Sequence, residues 1–486
     1  MRTQRIRTLA TLAALTLTLG LPRLARAEES WMGIFFHGKK VGYVRARESV
    51  GELEGVEAVH ANRWSVITVR RRDQVIRMEH TLDAWFSPKG APLRYTIERR
   101  EAGSERTGEG YRDGDRFEVR QTVGGRLTTR SYPMGDDVRL ATSLEWLFLK
   151  SPKAGAVYRG QSIDESEGDI QPFELSIGPR RDGKPFLVKE KIGGIESELT
   201  VDAKGNVLSS ELVGSGITMR RMSREKAVRP EEAVDIFGAA TFTVDAALPA
   251  RYRLDGITLS FEREHGDPPK VPSYPTQTSQ RRGSKVTVST KVVMPPKKPA
   301  SLPMSVKGEL SKYLSGTDYE DLQDEKLIAV VEREVGDAKD AWTAAKNLNG
   351  FVHAHIADKT LAHAFDSATE ALDAKAGDCT EHAVLFSALA KIAGIPTKLA
   401  TGLVYVGGAE PSFGYHEWVE VWLGDAWHPM DPTFGQDIAD ATHVKLSEGL
   451  SDAEGLREAG LAASSLIGDV SIRLDGWVVE GKSVKR

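Results

Sequence analysis

Hydrophobic and polar residues alternate with period two through most of residues 28 to about 225. Phe117, Val119, Gln121 and Val123 stand at every second position, and Leu199 and Val201 repeat the pattern. Between such runs lie turn signals: Tyr111-Arg112-Asp113-Gly114, Val123-Gly124-Gly125, Arg181-Asp182-Gly183 and Lys204-Gly205-Asn206. Residues 31–44 read as a hairpin turning at His37-Gly38-Lys39. Period two means strands, and alternation means a sheet with one wet face. The pattern predicts a β domain over 28–225, a scaffold or recognition unit without catalytic residues. A second β segment is expected over 226–267, with Phe242, Val244, Leu254, Ile257, Leu259 and Phe261 as its apolar positions.

The pattern breaks at 268–312. Eight of the chain's 22 prolines fall between residues 268 and 303. Proline removes a donor and fixes φ, so an extended inter-domain connection with one strand at 285–288 is expected. From Tyr313 the period becomes helical. Leu327, Ile328, Val331 and Val335 mark one helix; Ala341, Ala344, Ala345, Leu348 and Val352 mark a second. Ser367 and Glu370 form a capping box ahead of Ala371 and Leu372. The apolar run 379–393 is a third strong helix, stopped by Gly394 and Pro396. Period two returns at 399–406 and 418–422. Helices followed by paired strands, without a βαβ rhythm, predict an α+β domain over 313–486.

Composition changes this picture at the N-terminus. Arg2, Arg5 and Arg7 precede an uncharged apolar run from Leu9 to Leu21, and Ala25-Arg26-Ala27 follows. That grammar predicts a cleaved signal peptide at 1–27 and an exported protein, periplasmic or secreted. No second apolar stretch of that length occurs, so no integral membrane segment is expected after its removal. The formal charge of −4 becomes −9 once the five arginines of the leader are gone. An acidic chain is a poor match for nucleic acid or anionic lipid.

Export also sharpens the cysteine count. There is one, Cys379, so no intramolecular disulfide exists. With Asp378 as N-cap, Cys379 opens its helix, where the dipole and free N–H groups favour a thiolate and an oxyanion. A thiolate needs a base, and the base an orienter. His416 starts a strand in Tyr415-His416-Glu417-Trp418, and Asp431 closes a short one in Trp427-His428-Pro429-Met430-Asp431. Adjacent antiparallel strands would set these two side by side, with the carboxylate fixing the imidazole tautomer. Glu417 alternates to the other side of the strand from His416.

Gly377-Asp378-Cys379-Thr380-Glu381-His382-Ala383, then Gly394-Ile395-Pro396, then His416-x-Trp418-Val419-Glu420-Val421, then Trp427-x-Pro429-x-Asp431-Pro432-Thr433 resemble the transglutaminase-like superfamily in its bacterial exported members. The resemblance spans about residues 313–446. It implies a papain-like α+β core at the C-terminus, preceded by mainly β domains. It further implies Cys379 as nucleophile, His416 as base and Asp431 as orienter of an exported thiol-dependent acyl-transfer enzyme, hydrolytic and protease-like, acting on carboxamide or peptide bonds of a protein or peptide substrate; no D-x-[DN]-x-[DN]-G loop occurs, so calcium is not implied and no cofactor is expected. One departure is Glu417, where alanine is common in the family. The accessory oxyanion donor is unassigned. The alternative is a non-catalytic binding or scaffold protein that retains the fold.

Other signals carry less. Cys379 and His382 stand three apart, but zinc needs three or four ligands, so His382 reads as a packing or hydrogen-bonding group. Seven of the eleven histidines lie between His353 and His443, yet no helical HExxH occurs. Gly476 to Ser483 matches the phosphate-loop pattern but lies too near the C-terminus to open a helix.

Overall fold

The structure is a computed structural model. It describes residues 28–71, 74–101, 104–123, 125–180, 183–235, 241–263, 268–359, 366–407, 410–466 and 470–486. The expected signal peptide therefore lies outside the described residues, as do Gly124, Arg181 and Asp182 of two expected turns. The chain divides into two compact units, with the boundary between Ile236 and Phe237. Among the described residues no helix is long and apolar enough to cross a membrane.

The N-terminal unit is one large sheet. Its first eight strands, from Glu28–Phe36 to Arg126–Pro133, pair with their neighbours in chain order. The next seven, from Val138–Leu140 to Ile217–Met222, do the same, and the last of them pairs antiparallel with the first (Trp31 opposite Met222). A short strand, Val234–Asp235, runs parallel to Val56–Arg71, so the sheet extends past residue 225. The period-two signal is met in burial: Phe117, Val119, Gln121 and Val123 all point inward. Phe86, Tyr95, Phe117, Leu140 and Ile163 pack in one core. At the first hairpin His37 and Gly38 both take positive φ, 47° and 77°. This is the backbone that two-residue hairpin turns require.

The C-terminal unit is α+β. Strand β1 (Thr241–Thr243) is followed by β2 (Leu254–Arg263), β3 (Gln277–Arg282) and β4 (Lys285–Thr290). Helices α1 (Glu325–Val335), α2 (Ala341–His355), α3 (Ala368–Ala374) and α4 (Cys379–Ile392) come next. Then come β5 (Thr397–Tyr405), β6 (Ser412–Trp422), β7 (Trp427–Met430), β8 (Val444–Gly449), α5 (Ala453–Ser464), β9 (Val470–Val479) and β10 (Lys482–Lys485). One sheet has the order β1-β6-β5-β8, with β7 on β6; the other has the order β3-β4-β2-β9-β10. Phe242, Leu403, Phe413 and Tyr415 of the first share a core with Ile257, Phe261 and Val288 of the second.

Two expectations change here. The segment 226–267 is not one β unit, because β1 joins the sheet of β6 while β2 joins the other sheet. The proline-rich stretch is not a bare connection with one strand. Its prolines flank a hairpin, and β3 and β4 pair from Gln277 opposite Thr290 to Arg282 opposite Lys285. Prolines bound the strands and leave the ladder donors intact. The phosphate-loop pattern falls on the β9–β10 hairpin, which has no helix N-terminus to hold an anion.

Helix α4 is the centre of this unit. Thirteen of its fourteen residues are buried, against α1, α2 and α3 on one side and β5 and β6 on the other. Fully burying each of Val384, Leu385, Phe386 and Leu389 contributes about 1.5–3 kcal/mol. That packing fixes where the helix begins.

Candidate active site

Cys379 is the first residue of α4. Asp378 caps it, its carboxylate accepting from the Thr380 N–H at 2.9 Å. Glu381 completes a capping box by accepting from the Asp378 N–H at 2.8 Å, and it also takes the Asp366 N–H at 3.2 Å. The helix terminus favours a thiolate, but the thiol is only 2% exposed. Burial pushes it up to about 12, and the carboxylates of Asp378 and Glu417 add to the rise. The sequence leads one to expect a depressed thiol; burial works against the dipole.

Glu417 matters more than its alternation suggests. Its side chain is buried beside the first turn of α4, near Thr380, Asp378 and Glu381, and neither carboxyl oxygen has a hydrogen-bond partner among the described residues. Burial first, then those two carboxylates, raises it to about 8. Burial and Asp378 likewise raise Glu381 to about 8. Both carboxyls are thus held above the ordinary carboxylate range.

His416 lies on β6 opposite Gly402 of β5, and Val419 of β6 lies opposite Met430 of β7. A Cβ at Gly402 would stand 1.9 Å from the Val444 carbonyl oxygen, so the bare glycine lets β5 close on β8 beside His416. The β6–β7 register delivers Asp431 to His416, with Nε2 2.7 Å from Oδ2. The other carboxylate oxygen, Oδ1, accepts from the backbone N–H groups of Thr433 (2.8 Å) and Phe434 (3.0 Å). Against the upward push of burial, His416 and His443 hold the Asp431 carboxyl well below its ordinary range. An ionised carboxylate only accepts, so Nε2 of His416 carries the proton and Nδ1 keeps its lone pair. Nδ1 is buried and makes no hydrogen bond among the described residues. Burial lowers the imidazole, with Asp431 pulling the other way. Phe434 stacks on the ring at 4.8 Å, and the Arg251 guanidinium covers Phe434 at 4.6 Å.

The structure thus joins His416 to Asp431 and sets Cys379 on the helix that packs against the strand of His416. No hydrogen bond joins the thiol to His416 among the described residues. His382 donates from Nδ1 to the Asp378 carbonyl, 2.6 Å away, and burial lowers it to about 4. His353 and His355 reach backbone carbonyls, Pro432 at 3.2 Å and Leu372 at 2.7 Å. Sequence reasoning missed His443, whose Nε2 lies 3.1 Å from Asp431 Oδ2. It also missed Arg251 and Phe434. The only trace was the crowding of histidines toward residue 443.

Donor atoms of His416, Asp431 and His443 all lie within 4.8 Å of one another. As disposed they form a hydrogen-bond network. Separations of 2.7 and 3.1 Å are shorter than the roughly 3.4 Å between two ligands bound at ~2.1 Å to one tetrahedral zinc. Elsewhere in this sheet Lys445 bridges Glu420 (2.7 Å) and Glu448 (2.5 Å), and Lys398 reaches Glu448 at 2.7 Å. Glu420 of the strand motif is thereby a structural ion.

Residues 328–432 match the sequence model of the transglutaminase-like superfamily. No curated protein sequence matches the chain. Among solved structures, a candidate cysteine protease from Cytophaga hutchinsonii is 17% identical, with a TM-score of 0.30, over 51% of this chain and 89% of its own. A β-barrel-like protein from Brucella abortus, a domain of unknown function, is 11% identical, with a TM-score of 0.32, over 41% of this chain and 96% of its own. Likenesses of this size carry no structural argument.

Proposed function

We propose that the transglutaminase-like segment is the active centre of an exported thiol hydrolase that acts on peptide or carboxamide bonds. The reading rests on one observation. Nε2 of His416 lies 2.7 Å from Asp431 Oδ2, and Nδ1, without a hydrogen-bond partner among the described residues, stays available as a base on the strand that packs against the helix of the chain's one cysteine.

Sγ of Cys379 attacks the carbonyl carbon as its proton passes to Nδ1 of His416. The N–H of Cys379 itself, the first of α4, faces the developing oxyanion. The C–N bond then breaks, and the leaving amine takes the proton from Nδ1. A thioester on Cys379 remains. Water, deprotonated by Nδ1, attacks it, the C–S bond breaks, the acid leaves and Nδ1 returns the proton to Sγ; a lysine amine in place of water would give a crosslink. Residues 1–27 direct the chain out of the cytoplasm, and the substrate is a protein or peptide.

The test is mass spectrometry of the protein after exposure to a peptide library. An acyl adduct confined to Cys379 is expected, and Cys379→Ala should lose both adduct and hydrolysis while melting at the same temperature. A fully active alanine variant would overturn the reading. The buried, raised thiol favours a second reading, a non-catalytic binding protein with an inert cysteine. Iodoacetamide separates the two. His416-dependent labelling of the native protein belongs to the enzyme; labelling only after denaturation belongs to the binding protein.

A further inference from the structure

His443 is enclosed between two carboxylate residues. Its Nε2 lies 3.1 Å from Asp431 Oδ2. Its Nδ1 lies 3.0 Å from the Asp440 carbonyl oxygen and 3.4 Å from Asp440 Oδ1. All three partners are acceptors. A neutral imidazole has one N–H and would turn a lone pair toward an oxygen at its other nitrogen; only the imidazolium donates at both. Asp440 cannot swing away. Its carboxylate accepts from the Thr442 N–H (2.9 Å), the Thr442 hydroxyl (2.5 Å) and Gln436 Nε2 (2.8 Å), and Arg251 Nε stands 3.5 Å from it. The edge of Trp418 closes the ring in at 5.0 Å.

We infer that His443 is a cationic positioning residue of this site, which shares the Asp431 carboxylate with His416 and so keeps His416 neutral and able to act as a base. The inference rests on the proposed Cys379–His416 chemistry. Its physical content is competition for one charge. An Asp431 that faced His416 alone would draw a proton onto Nδ1 and favour a thiolate–imidazolium pair. An Asp431 already neutralised by His443 does so much less, and the resting pair is thiol and imidazole. The other charged or titratable groups here are Asp440, on the far side of His443, and Arg251, which stands 3.5 Å from Asp440 and also covers the Phe434 ring that stacks on His416. Lys359, whose Nζ reaches the Thr433 carbonyl, and His382 are near Asp431. In agreement with the geometry, burial works against the charge on His443, but its hydrogen bonds to Asp431 and Asp440 outweigh it and raise the group to about 9.

The test is the pH profile of Cys379 alkylation in the full chain and in His443→Gln, which can donate to Asp431 but carries no charge. The variant should move the alkylation midpoint down by about one pH unit and react about tenfold faster near pH ~6.5. Superimposable profiles, or an upward shift, overturn the inference. A parallel His416→Ala arm isolates the underlying reading: if it leaves the wild-type profile unchanged, the proposed chemistry itself fails and this inference with it. Should His443→Gln not fold, nitrogen NMR of the wild-type histidines decides instead. One ring still doubly protonated near pH ~8 is expected, and the absence of such a ring overturns the inference.

Discussion

The two units place their charges differently. In the N-terminal sheet many ion pairs span the wet face. Arg159 and Glu174 meet at 2.7 Å with side chains 68% and 44% exposed, and Lys189–Glu198 and Lys191–Glu196 are similar. In the C-terminal unit Lys391 and Glu320 pair with no exposure at all, and Asp431, buried beside His416 and His443, is held well below the ordinary carboxylate range. Exposed pairs gain little because water already solvates both partners. Buried ones need not stabilise the fold, but losing one partner leaves a charge with nothing to answer it. The contrast is not absolute, since Arg63 and Glu48 form a buried pair in the N-terminal unit. It teaches that the sheet tolerates its charges, whereas the site is built from them.

The largest effect that sharpens this comparison is at Asp431. In Asp431→Asn the amide presents N–H to an imidazole N–H, so His416 is forced to protonate Nδ1, the nitrogen proposed as base. The expected loss in kcat/KM is about 10³–10⁴, with the fold retained. Next comes Lys391→Met, which strands Glu320 and should cost about 3–5 kcal/mol in denaturant unfolding. Adding Glu320→Leu should recover most of that, and a double variant no better than the single would break the argument.

Glu417→Gln ranks third, through pH. The folded value of Glu417, about 8, lies above its unfolded value of 4.5. The native state therefore keeps a proton that the unfolded chain releases, and stability falls as pH rises through that window. Wild type should lose about 2–4 kcal/mol from this group between pH ~5 and ~9, and the variant should lose less by that amount. Equal losses in the two proteins would show that Glu417 is not buried as a neutral acid. Smallest is Arg159→Ala on the wet face, expected within about 0.5 kcal/mol of wild type. A loss several times larger would erase the contrast between the units.

The same difference explains what the sequence discloses. Alternation and turn chemistry are local, so the hairpin at His37-Gly38 and the inward set from Phe117 to Val123 could be read from neighbours alone. The start of α4 could be read too, because a cap is a matter of three or four consecutive residues. Even the meeting of His416 and Asp431 follows from two strands joined by a short turn. What stayed hidden depends on distant partners. Three-residue β1 carries no period of its own, yet it pairs with β6 from about 170 residues upstream. The hairpin at 277–290 was obscured by prolines that only border it. Arg251, Glu417 and His443 are ordinary polar residues until the fold encloses them. A rise in the thiol of Cys379 from burial has no counterpart in the order of letters around it.

The edge-on contact between Trp418 and His443 has an optical consequence. An imidazolium in contact with an indole quenches its emission by accepting an electron from the excited ring, and a neutral imidazole does so far less. Trp418 is therefore a built-in lamp for the charge on His443. The part of the emission lost in Trp418→Phe should brighten with a midpoint near 9, the value to which Asp431 and Asp440 hold His443. The site would then report its own protonation without substrate, label or turnover.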